Sequence, residues 1–259
     1  MFQSQQIKSP ASQIGEKRIE ITTTVKKMLA DVYTPVGIYL RLRDRFRDTI
    51  LLESTDHHAA ENSYSFICIN AIAGIEIKDK NTFEYKLPNE NAVRSALLKG
   101  KELKDVLLEF MQRFSLKAEN QKSAQFAQGL YGYFSFNGVE LVESIEFKTV
   151  TDDSNAIPLA RYRLYQYVIA INHYKDELLL IENEITGVDS ESGTIEALIN
   201  SKDIPVYPFK ATSAETSNMS DEEYLEIVKK GIQSCFRGDV FQIVLSRRFQ
   251  QQFIGDEFN

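Results

Sequence analysis

The 259-residue sequence contains no tryptophan, only two cysteines, three histidines and six prolines. Two thiols are too few for a disulfide-stapled scaffold, and neither Cys68 nor Cys235 has the short Cys/His spacing of a metal site. Both stand in apolar runs, FICI and IQSCF, so both are expected to be buried small hydrophobes, with a pairing between them left open. No window approaches the ~20 apolar residues that a membrane helix requires. The opening MFQSQQIKSPASQIGEK has no apolar stretch of signal-peptide length. These absences imply no membrane partner and a cytoplasmic location. Basic charge is also short: 30 Lys and Arg against 37 Asp and Glu leave a net charge of -7. Phosphate binding needs a basic face, so a nucleic-acid partner is not expected. In the densest basic stretch, RLRDRFR at Arg41–Arg47, arginines alternate with Leu42, Asp44 and Phe46. That reads as one solvated face of a strand or hairpin.

Self-contained catalytic motifs are missing too. There is no P-loop, no G-x-G-x-x-G and no G-x-S-x-G elbow. His57 and His58 are adjacent, so on a strand they would face opposite sides and could not readily share a metal. They read as solvated loop residues, and His173 falls in a hairpin turn.

What is present is a strand-rich pattern. Residues 1–20 are polar and aperiodic and read as a flexible arm. Val36, Ile38, Leu40 and Leu42 alternate with Gly37, Tyr39 and Arg41, the period of a half-buried strand. Further strands are expected at Ile50–Glu53, Tyr64–Asn70, Ala71–Ile77 and Thr82–Lys86, spaced closely enough for antiparallel hairpins. Leu103, Val106, Leu107, Phe110, Met111 and Phe114 form one helical stripe. The glycines of Gly129–Phe136 (GLYGYFSF) suggest close backbone approach within a strand. Arg161–Asn172 and Glu177–Glu182 flank His173–Asp176 as a long hairpin. The class is therefore α+β, a largely antiparallel sheet with packed helices, over residues 21–200.

Residues 201–218 read as a linker. Ser220-Asp221-Glu222-Glu223 then fits a capping box opening a helix whose apolar stripe runs from Tyr224 to Phe236, with Gly238 as its stop. A strand is expected at Val240–Phe249, so 219–259 reads as the start of a further domain left incomplete.

Four segments together resemble one family: Leu51–Ser54 (LLES), Tyr64–Ile67 (YSFI), Gly129–Tyr133 (GLYGY) and Gly238–Phe249 (GDVFQIVLSRRF). In this order the chain is similar to the first part of the large subunit of anthranilate synthase, a chorismate-utilising enzyme. The likeness runs over residues 20–255, about half of a family member. It implies a tryptophan feedback site at LLES, with Glu53 and Ser54 at the effector and Leu52, Tyr64 and Ser65 as lining. A carboxylate suits the effector's ammonium, and a hydroxyl adds a polar contact. The basic residue usual before Tyr-Ser-Phe in the family is Ser63 here. The resemblance further implies Mg²⁺ around chorismate, with ligands beyond these residues, and a glutamine amidotransferase subunit delivering ammonia.

Gln242 marks the chemistry. Relatives that add water to chorismate carry a lysine general base there, whereas a neutral amide cannot accept a proton. Ammonia needs no such base, so Gln242 points to amination. Two other readings stay open: aminodeoxychorismate synthase, which aminates without releasing pyruvate, and a non-catalytic amino-acid-binding module. The chain alone is expected to be catalytically silent.

Overall fold

A computed structural model describes residues 18–53, 63–97, 102–119, 121–147 and 157–258. The chain divides into two compact units, Met1–Ile204 and Pro205–Asn259. The first begins with β1 (Ile19–Leu29), α1 (Pro35–Leu42), β2 (Ile50–Leu52), β3 (Tyr64–Ile77), β4 (Thr82–Lys86) and β5 (Val93–Ala96). It continues with α2 (Leu103–Gln112), β6 (Phe114–Ala118), α3 (Gln121–Ala124) and β7 (Tyr131–Phe134), and a 3₁₀ turn at Phe136–Leu141. It closes with β8 (Ala160–Asn172), β9 (Glu177–Glu184) and α4 (Ser192–Ile199).

Among the described residues these nine strands form one sheet, ordered β5-β4-β3-β8-β9-β1-β6, with β2 added to β3 and β7 to β8. Every pairing is antiparallel except β1 with β6. The expected α+β class with a largely antiparallel sheet is what the chain adopts. The β8–β9 hairpin turns through Asp176 at φ 47°, a left-handed conformation that aspartate tolerates. Gly132 in β7 is where backbones come close: a Cβ there would lie 1.8 Å from the Arg161 carbonyl oxygen.

Several local expectations are corrected. Val36–Leu42 is not a strand but α1, because Thr34 caps it by accepting the Gly37 N–H at 3.0 Å and Pro35 opens it. Ile38 and Leu42, four apart, then share a buried face. The arginine stretch is accordingly a helix end rather than a strand face, and Arg41 donates to the Ile199 carbonyl at 3.4 Å. Tyr64–Asn70 and Ala71–Ile77 are one strand, interrupted by a bulge between Ala71 and Ala73, with Asn70 at φ 59°. Phe114 starts β6 instead of ending α2, and its partner Ile19 shows β1 beginning inside the stretch read as an arm. The α2 stripe is narrower than its sequence implied: Leu103, Val106 and Phe110 are buried, but Met111 is exposed.

Helices cover the sheet where its strands are apolar. Ile38 and Leu42 of α1 and Ile195 and Ile199 of α4 pack on Ile67, Ile69, Ile169, Ile171, Leu178 and Leu180. Leu103, Val106 and Phe110 of α2 pack on Ile21, Ile75, Ile77, Phe83 and Leu164. A third cluster joins Cys68, Tyr165, Val168, Ala170 and Ile181.

In the second unit, β10 (Phe209–Ala211) pairs with β13 (Phe253–Gly255), and β11 (Thr216–Ser217) with β12 (Phe249–Gln250). Between them lies α5, Asp221–Arg237. Its capping box is formed: Ser220 Oγ accepts the Glu223 N–H at 3.2 Å, and Glu223 Oε2 accepts the Ser220 N–H at 2.8 Å. Gly238 ends the helix at φ 78°. Ser220→Ala should therefore lower the unfolding free energy by about 1 kcal/mol, measured by urea denaturation followed through helical circular dichroism. Two expectations fail here. Residues 240–248 enter no strand ladder among the described residues, and pairing resumes only at Phe249. Of the α5 stripe only Gly231 is buried, while Ile232, Phe236 and Cys235 are exposed. Cys68 is buried, and both thiols are free. No helix of the described residues is long and apolar enough to cross a membrane.

Candidate functional site

β2 sets the position of the LLES segment. Leu52 pairs with Phe66 and Leu51 with Ile67, so Leu52 lies on the Phe66 face of the sheet. That face is aromatic. The Tyr64 ring lies 6.0 Å from Phe66 and 4.9 Å from Phe126, and Phe66 lies 6.0 Å from Tyr131. Tyr131 donates its hydroxyl to the Phe126 carbonyl and meets Tyr165 edge-on at 6.3 Å. Burial pushes the Cys68 thiol and the Tyr131 and Tyr165 phenols well above their ordinary pKa values. These groups stay neutral, so the face offers apolar and π surface rather than nucleophiles.

Alternation splits the sequence-derived set. Leu52 and Tyr64 share the aromatic face, but Ser65 points to the opposite one, buried with Ile67. There its Oγ sits 2.7 Å from His173 Nε2, and the His173 N–H binds the Ser63 carbonyl at 3.1 Å. His173 is thus a turn residue that fastens the start of β3. Glu53 is exposed at the end of β2. Ser54, His57 and His58 lie outside the described residues.

Gln242 is exposed in the second unit. It borders an open apolar depression of about 630 Å³ formed by α5 and residues 241–245, with Ile232, Phe236 and Phe241 among its walls. Gly231 permits this approach, because a Cβ there would already stand 3.2 Å from Leu245 Cδ1. Arg247, in the same GDVFQIVLSRRF run, pairs with Asp221, donates to Ser217 Oγ at 2.7 Å and lies 4.7 Å over the Phe249 ring.

Two polar centres escaped the sequence reading. Asn183, fully buried, accepts from Thr23 Oγ1 at 2.8 Å and donates to the Ala127 and Tyr165 carbonyls at 2.7 and 2.9 Å. Glu76, 5% exposed, meets Lys78 at 2.6 Å, Arg161 at 2.9 Å and Arg163. Burial raises its pKa, but hydrogen bonds from Lys78 and Arg163 and the charges of both arginines outweigh that and bring it down to about 2. Among the described residues no three His, Cys, Asp or Glu side chains come together as a cation site. The described residues therefore do not fit Mg²⁺.

A family model described as chorismate binding enzyme matches residues 48–259. Anthranilate synthase component 1 of Lactococcus lactis is 25% identical over 248 residues, covering 91% of this chain and 50% of that protein. Its namesake from Aquifex aeolicus is 25% identical over 252 residues, covering 90% and 48%. The chain spans about half the length of the curated relatives it matches. The crystal structure of anthranilate synthase component I from Streptococcus pneumoniae aligns with a TM-score of 0.46 at 20% identity, covering 89% of this chain and 50% of that one.

Proposed function

The chain belongs to the chorismate binding enzyme family, and from that premise we propose that it is the amino-terminal portion of an anthranilate synthase large subunit. The observation that carries this reading is the continuity of the family match through both units. It takes in β2 and the aromatic face of the first as well as the Gly238–Phe249 run of the second. In the complete enzyme, ammonia from a glutamine amidotransferase subunit would attack chorismate, and pyruvate would leave to give anthranilate. Gln242 supports amination over hydration, since its neutral amide cannot deprotonate water. The Mg²⁺ that this chemistry implies would need ligands other than the described residues.

The first unit would receive tryptophan as a feedback inhibitor. Glu53 would take the ammonium, Ser54 a further polar contact, and the Leu52–Tyr64 face the indole. Ser65 fits this role less well, being turned to the other face and engaged by His173. Inhibition requires that tryptophan bind one arrangement of the enzyme better than another.

Chorismate, a magnesium salt and an ammonium salt, given to the product of the complete reading frame, should yield anthranilate and pyruvate. The 259 residues alone should consume none. Accumulation of an aminated chorismate with pyruvate retained would assign aminodeoxychorismate synthase instead. Turnover by the 259 residues alone would overturn the proposed division of the catalytic machinery.

A further inference from the structure

We infer that the bulge in β3 builds a binding site for a short-chain zwitterionic amino acid. A pocket of about 120 Å³ opens beside the bulge, lined by charged side chains of both signs. Arg163, across the ladder from Gly74, supplies its guanidinium. Gly74 is what allows this, because a Cβ there would fall 2.5 Å from Arg163 Cδ. Glu76, also lining the pocket, holds Arg163 in place through one terminal nitrogen. Its other terminal nitrogen donates to the Tyr162 carbonyl at 3.4 Å, and a guanidinium has five N–H donors, so donors remain for a ligand carboxylate. Lys86 adds a second positive group.

Negative charge comes from Asp48 and Glu84. Asp48 stands at φ 53°, a left-handed conformation that aspartate adopts more readily than most residues. Asn70, at the bulge itself, is also left-handed. Bulges often sit beside binding sites, where they re-aim side chains.

The charges select the ligand class. A simple anion would face Asp48 and Glu84, and a simple cation would face Arg163 and Lys86. A molecule carrying one ammonium and one carboxylate satisfies both sets. Size narrows the choice further. A cavity of about 150 Å³ accepts benzene, so a smaller one with alanine walls, Ala71, Ala73 and Ala92, suits glycine or alanine better than a bulky side chain.

The test is thermal unfolding of the 259-residue chain titrated with glycine and L-alanine. Acetate and methylammonium at matched ionic strength serve as single-charge controls. A saturable rise in Tm with the amino acids and none with the controls is expected. Asp48→Asn and Ala92→Leu change exposed loop positions, so ligand-free Tm should hold. Each should raise the half-saturating glycine concentration about tenfold or more, by loss of a charged partner or by filling the mouth. No rise with either amino acid, an equal rise with one control, or unweakened binding in both variants would overturn the site.

Discussion

Replacing Asn183 with alanine should cost about 3 kcal/mol of folding stability, a large effect for a side chain that touches no proposed ligand. Asn183, buried in β9, links β1, β8 and the α3–β7 connection by hydrogen bonds, through Thr23, Tyr165 and Ala127. Truncation removes the side-chain donor from two carbonyls of buried residues and the acceptor from the Thr23 hydroxyl. Gln128 also donates to Thr23 Oγ1, at 3.2 Å, and is expected to slacken with it. Unsatisfied buried groups of this kind cost about 1–3 kcal/mol each, offset where water enters. Asn183→Asp should do as badly, since a carboxylate cannot donate to either carbonyl. Chemical denaturation with an unchanged m-value and a lower midpoint is the expected signature. A loss under 0.5 kcal/mol would show that the network is solvated rather than closed.

Acid should unfold the protein through Glu76. Its carboxyl titrates at about 2 in the folded chain against an ordinary 4.5. The folded pKa is the lower one, so the unfolded state binds the proton more readily. The stabilisation is complete above pH 4.5 and is lost as pH falls from there through about 2. Its full size is at most about 3 kcal/mol by linkage. Glu76→Gln should remove most of it, giving lower stability at neutral pH and a flatter decline between pH 5 and 2. Unfolding free energies measured across that window for both proteins decide the matter. Parallel curves would show that other carboxylates dominate acid unfolding. The same variant should disturb the pocket beside the β3 bulge, because Glu76 positions Arg163.

Local rules made much of the fold legible. RYRLYQYVIAIN and ELLLIE flank a short polar turn, and β8 and β9 form there. Ser220 and Glu223 sit at capping-box spacing, and the box forms. VGIYLRL misled because its apolar residues satisfy both a two-residue and a helical period, and the preceding Thr34-Pro35 settles it as a helix. The run FQIVLS has strand composition but no partner strand among the described residues, so composition alone overstated it. The polar centres were not legible for a different reason. Glu76 meets Arg163 across 87 positions of sequence and Asn183 meets Thr23 across 160. Nothing in ELLLIENE distinguishes a core asparagine from a strand end. Of the site residues, resemblance identified Glu53 and Leu52 as a segment. The opposite orientation of Tyr64 and Ser65 follows from strand alternation, but which of them shares a face with Leu52 follows only once β2 is placed against β3.

The proposed tryptophan site at the end of β2 is what would join this fold to its function. The chain contains no tryptophan of its own, so the ligand would be the sole indole in solution. Its fluorescence anisotropy, excited beyond the absorption of tyrosine, therefore reports binding without a protein background. Adding the 259-residue chain should raise that anisotropy to saturation, and Ser54→Leu should abolish the rise while leaving the thermal unfolding transition in place. Free tryptophan anisotropy at every protein concentration, or an undiminished rise with the Ser54 variant, would contradict the assignment.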